Sequence, residues 1–209
     1  MTTQKAYALV TGASSGIGYQ YARDLAEKGY NLLIISNVED ELAEKKKQLE
    51  QDFPIEVKAL TRNLGTSEAA KELYDWCKTQ NIEVEVLVNN AGVYHDRDFL
   101  ADSEAFNEMI INLHTFTPAM LCYYFGQDMV ERHKEYILNM SSITSEIAVQ
   151  RLASYSSTKA FLKNFSRSLH IELYHKGVYV TAVRPGAVDT GLYNISKTAT
   201  KIGMFVGYI

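Results

Sequence analysis

The sequence contains little of the chemistry used by metal sites and disulfide scaffolds. Its two cysteines, Cys77 and Cys122, lie far apart in different predicted helices. Neither has a partner at the spacing that such sites use. The histidines show no ligand spacing either: His95, His114, His133, His170 and His175. We therefore expect no metal site, and this cysteine usage favours a reducing, cytoplasmic location.

Charge excess and long apolar runs are also missing. A formal net charge of -4 gives no reason to expect nucleic acid or an anionic membrane as a partner. No apolar run approaches the length of a membrane span, and residues 1–5 lead directly into a predicted strand without a signal peptide. No linker, repeat or low-complexity segment interrupts the chain. We expect one domain over residues 1–209.

Strand and helix patterns alternate along the chain. Strands are predicted over 6–10, 31–36, part of 55–64, 84–88, 135–140 and 178–183. Helices are predicted over 19–28, 39–51, from a cap at Thr66 or Ser67 to about 80, 103–132 and 152–175. With right-handed crossovers, this alternation predicts an α/β fold, a doubly wound Rossmann-type parallel sheet with strand order 3-2-1-4-5-6.

A glycine-rich turn joins the first strand to the first helix. It has the spacing G-x-x-x-G-x-G, and its predicted ligand-binding residues are Gly12, Ser14, Ser15, Gly16, Ile17 and Gly18. Glycines let the backbone approach a pyrophosphate closely, and free N–H groups at a helix start attract its charge. A tight turn without a ligand remains the alternative for this motif alone.

Polar and glycine-rich clusters follow all six predicted strands. They are the glycine turn, Ser36-Asn37, Asn63, the stretch 89–92, Ser141-Ser142 and Pro185-Gly186. Doubly wound sheets bind ligands beyond the carboxyl ends of their strands. Six such clusters at one edge predict a ligand site.

Tyr155 and Lys159 are four residues apart in a predicted helix, so they share a face. A lysine ammonium near a phenol favours the phenolate, which allows proton exchange with a carbonyl or alcohol oxygen. Ser142 ends the neighbouring strand, where its hydroxyl can bond the same oxygen. Asn112 can complete a proton path through water, although an asparagine inside a helix is more often a packing residue.

These motifs together resemble the classical branch of the short-chain dehydrogenase/reductase family. The resemblance runs from Ala6 to about Thr190. It rests on the glycine turn, Asn89-Asn90-Ala91-Gly92, Asn112, Ser142, Tyr155-x-x-x-Lys159 and Pro185-Gly186-x-x-x-Thr190, in that order. It implies an oxidoreductase that transfers a hydride between a nicotinamide cofactor and a carbonyl or alcohol.

The resemblance also implies roles for individual residues. Tyr155 would be the general acid or base, and Ser142 would polarise the carbonyl. Lys159 would lower the pKa of Tyr155 and hold the nicotinamide ribose. Asn112 would hold a water that links Lys159 to solvent. The implied cofactor contacts beyond the glycine turn are Ser36, Asn37, Asn63, Leu64, Asn90, Ala91, Gly92, Tyr155, Lys159, Pro185, Gly186, Val188 and Thr190.

Two departures from the family pattern stand out. Asn63 replaces a frequent aspartate near the adenine. The sequence ends soon after the sixth strand, so we expect the family's C-terminal helices and last strand to be missing from it.

The end of the second strand predicts the cofactor. A carboxylate there would bind both ribose hydroxyls and repel a 2′-phosphate, but Ser36 and Asn37 are neutral. No arginine stands there to clamp a phosphate, although Arg62 lies nearby. We therefore favour NADP(H), with NAD(H) as the alternative.

Apolar residues predict the substrate pocket. Contacts are expected from Ser142, Tyr155, Val93, Ile143, Val149 and Leu192. They favour a medium-sized, largely apolar ketone or secondary alcohol, such as a 3-oxoacyl, steroid-like or aryl compound. Residues 12–36 also resemble long-chain 3-oxoacyl and hydroxysteroid members of the family.

Subunit contacts rest on the resemblance. It implies a homodimer or homotetramer through the helices predicted at 103–132 and 152–175. Their large apolar side chains are Phe116, Met120, Tyr123, Tyr124, Phe161 and Phe165.

Two rival functions remain. A nucleotide sensor or scaffold can keep this fold without turnover, because fold alone does not prove function. A hydrolase using Ser142 is disfavoured because no G-x-S-x-G turn surrounds it.

Overall fold

The computed structural model describes residues 6–186 and contains the predicted parallel sheet. Its six strands are ordered β3-β2-β1-β4-β5-β6, all neighbours being parallel. The strands are β1 Tyr7–Thr11, β2 Asn31–Ser36, β3 Val57–Thr61, β4 Val84–Asn89, β5 Glu135–Met140 and β6 Val178–Val183. The predicted fold class and strand order are confirmed.

Within residues 6–186, six α-helices cover the two faces of this sheet. They are α1 Gly16–Glu27, α2 Glu39–Asp52, α3 Ala69–Thr79, α4 Glu104–Ile111, α5 Thr117–Arg132 and α6 Ala153–Leu173. Alternate strand residues point to opposite faces, so two separate apolar layers form. On one face α1 and α2 contribute Ala22, Ala26, Leu42 and Leu49. On the other, residues of α3, α5 and α6 pack against the sheet.

The central strands are mostly apolar along their length because both faces are covered. Every residue of β1 and β2 is buried. A parallel sheet between two helical layers requires this continuous apolar character rather than an alternation of polar and apolar residues. The helical layers do not cover the carboxyl ends of the strands. The turns that follow the strands lie there and contain most of the predicted site residues.

The single helix predicted over 103–132 is interrupted. A π-helical turn at Asn112–Phe116 separates α4 from α5. Pro118 explains the interruption, because its ring nitrogen cannot donate to the carbonyl four residues earlier and its ring crowds that carbonyl. The backbone N–H of Thr117 instead donates to the carbonyl of Asn112, five residues back. The wider turn lies next to the predicted proton path, a common place for π turns.

Helix ends differ from the prediction in small ways. α1 begins at Gly16, inside the glycine turn. The predicted cap at Thr66 or Ser67 is wrong, since Glu68 precedes the first helical residue and makes no side-chain cap. After α6 a short 3-10 turn, Tyr174–Lys176, leads to Gly177, whose φ of 80° ends the helical region. No helix between residues 6 and 186 has the length and apolar character needed to cross a bilayer.

Candidate active site

A cleft of about 780 Å³ opens at the carboxyl edge of the sheet. Its volume lies in the range of small-molecule and cofactor sites. The predicted site residues that line it are Gly12, Ser14, Ser15, Gly16, Ile17, Ser36, Asn37, Asn63, Leu64, Asn90, Ala91, Gly92, Val93, Tyr155, Lys159, Pro185 and Gly186. The topology therefore brings together segments that are up to 174 positions apart, counted from Gly12 to Gly186.

Other predicted residues lie outside the set that lines the cleft. Within the described part of the chain these are Gly18, Asn112, Ser142, Ile143 and Val149. Ile143 and Ser142 adjoin the cleft, because the N–H of Ile143 donates to the carbonyl of Pro185 at 3.2 Å. Val188, Thr190 and Leu192 lie outside the described residues.

The glycine turn and the segment after β4 are bound to each other. Asn90 donates its side-chain amide to the carbonyls of Thr11 and Gly12, at 3.0 and 3.2 Å. A Cβ on Gly18 would lie 2.2 Å from the Gly12 carbonyl oxygen, so only glycine allows α1 to approach this closely. Gly18 thus supports the turn from beneath, whereas Gly12 and Gly16 line the cleft.

The start of α1 is open to an anion. Ser15 precedes the helix without a side-chain cap, and the first turn contains no acidic residue. Gly16 and Ile17, whose N–H groups are among those a helix leaves unpaired, line the cleft. This arrangement fits a pyrophosphate, which binds well at a free helix N-terminus.

Tyr155 and Lys159 lie on the first turns of α6, on the cleft side. Both are buried, at 5% and 4% exposure. The Tyr155 ring packs edge-on against Tyr94, with centroids 5.3 Å apart. The Lys159 ammonium lies 5.6 Å from the Tyr155 ring centroid and donates to the carbonyl of Met140 at 2.8 Å. Burial lowers the pKa of Lys159 from its ordinary value of 10.5 to about 8.

Ser142 and Asn112 flank this pair. The Ser142 hydroxyl oxygen accepts from the backbone N–H and the hydroxyl of Thr144, at 3.2 and 3.0 Å. A hydroxyl that accepts twice still has its own hydrogen to donate. Asn112 is half-buried at the start of the π turn, between Met109 and Leu113, both of which line the cleft.

The end of the cleft near β2 is polar and contains one positively and one negatively charged side chain. The Ser36 hydroxyl donates to the Ser14 hydroxyl oxygen at 3.0 Å and accepts from the Val38 N–H at 3.2 Å. Arg62 lines the cleft and forms an ion pair with Glu72. The Arg62 Nε is buried without a hydrogen-bond partner among the described residues. Glu41, in the first turn of α2, also lines this end, a carboxylate that the sequence prediction did not include.

Further residues around the cleft were missed by sequence reasoning, among them Met109, Leu113 and His114. Met109 and Leu113 line it, and their spacing of four on a helix is the signal that they share a face. His114 is fully buried beside Tyr155, with ring centroids 5.8 Å apart. Its signal was a polar ring within an apolar helical segment two residues after Asn112, but spacing alone did not reveal its contacts.

The sequence is similar to those of several curated reductases. Very-long-chain 3-oxoacyl-CoA reductase of Rattus norvegicus is 36% identical over 197 residues, which cover 91% of this chain and 62% of that protein. The Homo sapiens protein of the same name is 35% identical with the same coverage. The chain thus spans about three fifths of the length of these curated relatives.

Solved structures show the same fold. A short-chain dehydrogenase from Sphingobium yanoikuyae in complex with NADPH superposes with a TM-score of 0.85 at 28% identity, over 90% of this chain and 73% of that one. An alcohol dehydrogenase from Thermococcus sibiricus complexed with 5-hydroxy-NADP gives a TM-score of 0.80 at 28% identity, over 90% and 79%.

The family model described as short chain dehydrogenase matches residues 6–200, nearly the whole sequence. It matches the same stretch that carries the glycine turn, the Tyr155–Lys159 pair and the parallel sheet. On this match the chain belongs to the short-chain dehydrogenase/reductase family.

Proposed function

We propose that this protein reduces a medium-sized, largely apolar ketone, of the 3-oxoacyl, steroid-like or aryl kind, with NADPH as the hydride donor. The observation that carries the proposal is that Tyr155 and Lys159 line the same cleft as the glycine turn. The names of the relatives support a 3-oxoacyl substrate class. The cofactor supplies the hydride, and the protein supplies alignment and proton transfer.

In this proposal the four polar side chains divide the proton chemistry. Tyr155 gives its phenolic proton to the carbonyl oxygen as that oxygen gains negative charge. Ser142 donates a hydrogen bond to the same oxygen and holds it near Tyr155. Lys159 favours the phenolate that remains, because its ammonium lies next to the ring. Asn112, at the π turn, holds a water through which a proton returns from solvent.

The cofactor cradle is proposed from the residues around the cleft. The open N-terminus of α1 would hold the pyrophosphate, with Ser14 and Ser15 offering hydroxyls. Asn90, Ala91 and Gly92 would lie along the nicotinamide half, and Asn63 and Leu64 near the adenine.

Exposed apolar side chains in the segment that follows β5 support the substrate class. Ile143 is 51% exposed and Ile147 is 62% exposed, although both are large and apolar. Tyr94 adds an aromatic wall against the Tyr155 ring. Val93 and Val149 belong to the same proposed wall, and Leu192 remains a proposed contact outside the described residues. A charged sugar would leave these groups without suitable contacts.

A panel of carbonyl compounds with both reduced cofactors tests the function. We expect NADPH-dependent reduction of 3-oxoacyl thioesters, steroid ketones or aryl ketones, followed as loss of NADPH absorbance. Activity confined to small charged sugars would contradict the substrate class. Tight NADPH binding without turnover on any carbonyl would instead support a nucleotide sensor or scaffold.

The preference for NADP(H) is proposed from the β2 end of the cleft. Ser36 and Asn37 are small and neutral there, and Arg62 lies on the same wall. Arg62 shares its charge with Glu72, and Glu41 adds a negative charge, so the preference for the phosphate is expected to be moderate. NAD(H) remains the alternative cofactor.

Ser36→Asp is expected to shift the preference toward NADH. A carboxylate at this position repels a 2′-phosphate, and NADPH binding should weaken about tenfold or more. Fluorescence titration of both reduced cofactors gives the two dissociation constants. Thr79→Asp adds the same charge at the carboxyl end of α3, outside the set of residues that lines the cleft. This control should change neither dissociation constant. Tighter binding of NADH than of NADPH by the unmodified protein would overturn the preference.

A homodimer or homotetramer is proposed through α5 and α6. Phe116, Tyr123 and Phe161 are large apolar side chains with exposures of 42%, 58% and 41%. Met120, Tyr124 and Phe165 of the same predicted set pack partly against the core. We expect light scattering at micromolar concentration to give at least a dimeric mass, and a monomeric mass would contradict this contact.

Residues 1–209 are proposed to form one domain in a cytoplasmic protein. Cys77 and Cys122 are free and buried, which suits a reducing compartment. Burial raises the pKa of each thiol to about 12, so neither is a reactive thiolate at neutral pH.

A further inference from the structure

His114 joins two segments that both carry cleft residues. It lies in the π turn between α4 and α5, and its ring is fully buried. One side of the ring meets Val93, in the segment after β4 that lines the cleft. The other side meets Thr158 on α6, one residue before Lys159. The roles proposed for the four catalytic side chains do not involve this buried imidazole.

The hydrogen bonds of His114 require one tautomer. The backbone N–H of Val93 donates to Nε2 at 3.0 Å, so Nε2 carries no hydrogen. The Thr158 hydroxyl donates to the carbonyl of Tyr155 at 2.9 Å, and its oxygen lies 3.1 Å from Nδ1. Since the hydroxyl has a single hydrogen, Nδ1 must donate to it. The result is a chain of three hydrogen bonds from Val93 to the backbone of Tyr155.

The environment keeps this imidazole neutral. Burial, and next the charge of Lys159, lower the pKa of His114 well below its ordinary value of 6.5. A protonated ring would carry a hydrogen on Nε2, opposite the N–H of Val93, and the contact would be lost. The packing is tight as well, because a Cβ on Gly92 would lie 2.9 Å from Nε2 and 3.5 Å from the Lys159 ammonium.

We propose that His114 is a positioning residue that holds the Gly92–Val93 segment at a fixed separation from α6. In this role it sets the distance between the cofactor-facing backbone and the Tyr155 hydroxyl. The inference rests on the proposed function, because the separation matters for hydride and proton transfer to one carbonyl group. His114 would align the Gly92–Val93 segment with α6. It would not set the distance between Tyr155 and Lys159, because both residues lie on α6.

Two substitutions of His114 separate positioning from packing. His114→Leu removes both hydrogen bonds but keeps an apolar side chain of similar length. His114→Gln restores an acceptor for the Val93 N–H, since its amide oxygen can reach the place of Nε2. We expect kcat to fall about tenfold or more in His114→Leu, because small misplacements at a reacting centre are costly. The Gln variant should recover most of that loss.

The same link can be broken from the other side. Thr158→Val has the shape of threonine but no hydroxyl, so the His114 Nδ1–H loses its acceptor. Thr158→Ser keeps the hydroxyl and serves as its matched comparison. We expect Val to lower kcat in the same direction as His114→Leu, and Ser to restore it.

His170→Leu is the matched control for a lost histidine acceptor. The His170 ring also accepts a backbone N–H, from Val180 at 3.3 Å. It lies on the same helix, 15 residues beyond Tyr155 and so roughly 22 Å along the axis. This variant is expected to lose stability but to keep kcat when rates are divided by the number of NADPH-binding sites.

Isotope effects and hydrogen exchange complete the test. With NADPH deuterated at C4, the isotope effect on kcat should increase in His114→Leu, since misalignment slows the hydride step, and stay at the wild-type value in His170→Leu. Exchange of the Val93 amide in the cofactor-free protein should be faster in His114→Leu and slow again in His114→Gln.

Each outcome decides the inference. Wild-type kcat per binding site in His114→Leu, or equal losses in the Leu and Gln variants, would overturn it. Absence of turnover in the wild type would contradict the proposed function. The inference about His114 is then tested by hydrogen exchange of the Val93 amide alone. Unchanged exchange at Val93 in His114→Leu overturns the link, whereas faster exchange that Gln reverses supports it.

Discussion

Tyr155→Phe should reduce carbonyl turnover at least about 100-fold, the usual effect of losing a general acid. The substitution removes only the hydroxyl. The ring contacts with Tyr94 and His114 do not depend on it, so the fold and the cleft wall should stay intact. NADPH affinity should therefore change little. Steady-state rates and fluorescence titration of NADPH measure the two quantities on the same preparation.

Tyr74→Phe provides the control for this substitution. The Tyr74 hydroxyl donates to the Asp128 carboxylate at 3.2 Å, between α3 and α5 and away from the cleft. Its loss should lower stability slightly and leave turnover unchanged. Near-wild-type rates in Tyr155→Phe would remove Tyr155 from the catalytic proposal, whatever the cofactor affinity.

Lys159→Met should lower turnover by a similar factor and at the same time stabilise the fold at neutral pH. Lys159 is 4% exposed, and burial lowers its pKa to about 8. At pH 7 the folded protein therefore keeps a charge in a place that disfavours it, at a cost of about 3 kcal/mol. Methionine removes that charge but also the hydrogen bond to the Met140 carbonyl. A net gain of about 1–2 kcal/mol in unfolding free energy remains after this loss.

The pH dependence of this gain identifies its cause. Between pH 8 and 10.5 the unfolded lysine still binds its proton while the folded one has released it. The unfolded state then binds more protons, so the stability of the wild type rises with pH through this window. The advantage of Lys159→Met should accordingly be largest below pH 8 and shrink toward pH 10.5.

Urea denaturation without cofactor at several pH values measures this difference. The Cys77 and Cys122 thiols lose their protons in this range only in the unfolded state, because burial raises the pKa of each to about 12 in the folded protein. Their effect is common to both proteins and cancels in the comparison. Lys71→Met, at an exposed position on α3, should show no such pH-dependent gain. A gain that stays constant from pH 7 to 10.5 would show that the charge of Lys159 is not its source.

Burial of the Lys159 charge lowers the stability of the fold but supports the proposed proton transfer. An ammonium next to a phenol favours the phenolate, and it must be desolvated to lie there. The same burial that destabilises the charged lysine strengthens its effect on Tyr155, because the local dielectric is low. A stabilised but inactive Lys159→Met protein would be the expected sign of this conflict.

The sequence by itself determined the sheet and indicated most of the residues that line the cleft. Six apolar runs between helical patterns predicted five strands to within one residue and the third only as part of 55–64, and the crossover rule predicted their order. These signals are local, since a strand covered on both faces must be apolar along its length. The polar turns followed from the same reading, because parallel strands end at one edge. Most predicted cofactor contacts within the described residues indeed line the cleft there.

Tertiary structure alone decided how these residues act on each other. Pro118 is visible in the sequence, but whether it kinks, ends or widens a helix depends on the packing around Asn112, and here it widens it. The charge of Arg62 is local information, whereas its pairing with Glu72 is a contact across ten positions, between the segment after β3 and α3. His114 meets Val93 and Thr158 from 21 and 44 positions away. Hydrogen bonds and ion pairs depend on angstrom-scale distances between segments, and those distances are set by the packing of the whole core rather than by any local pattern.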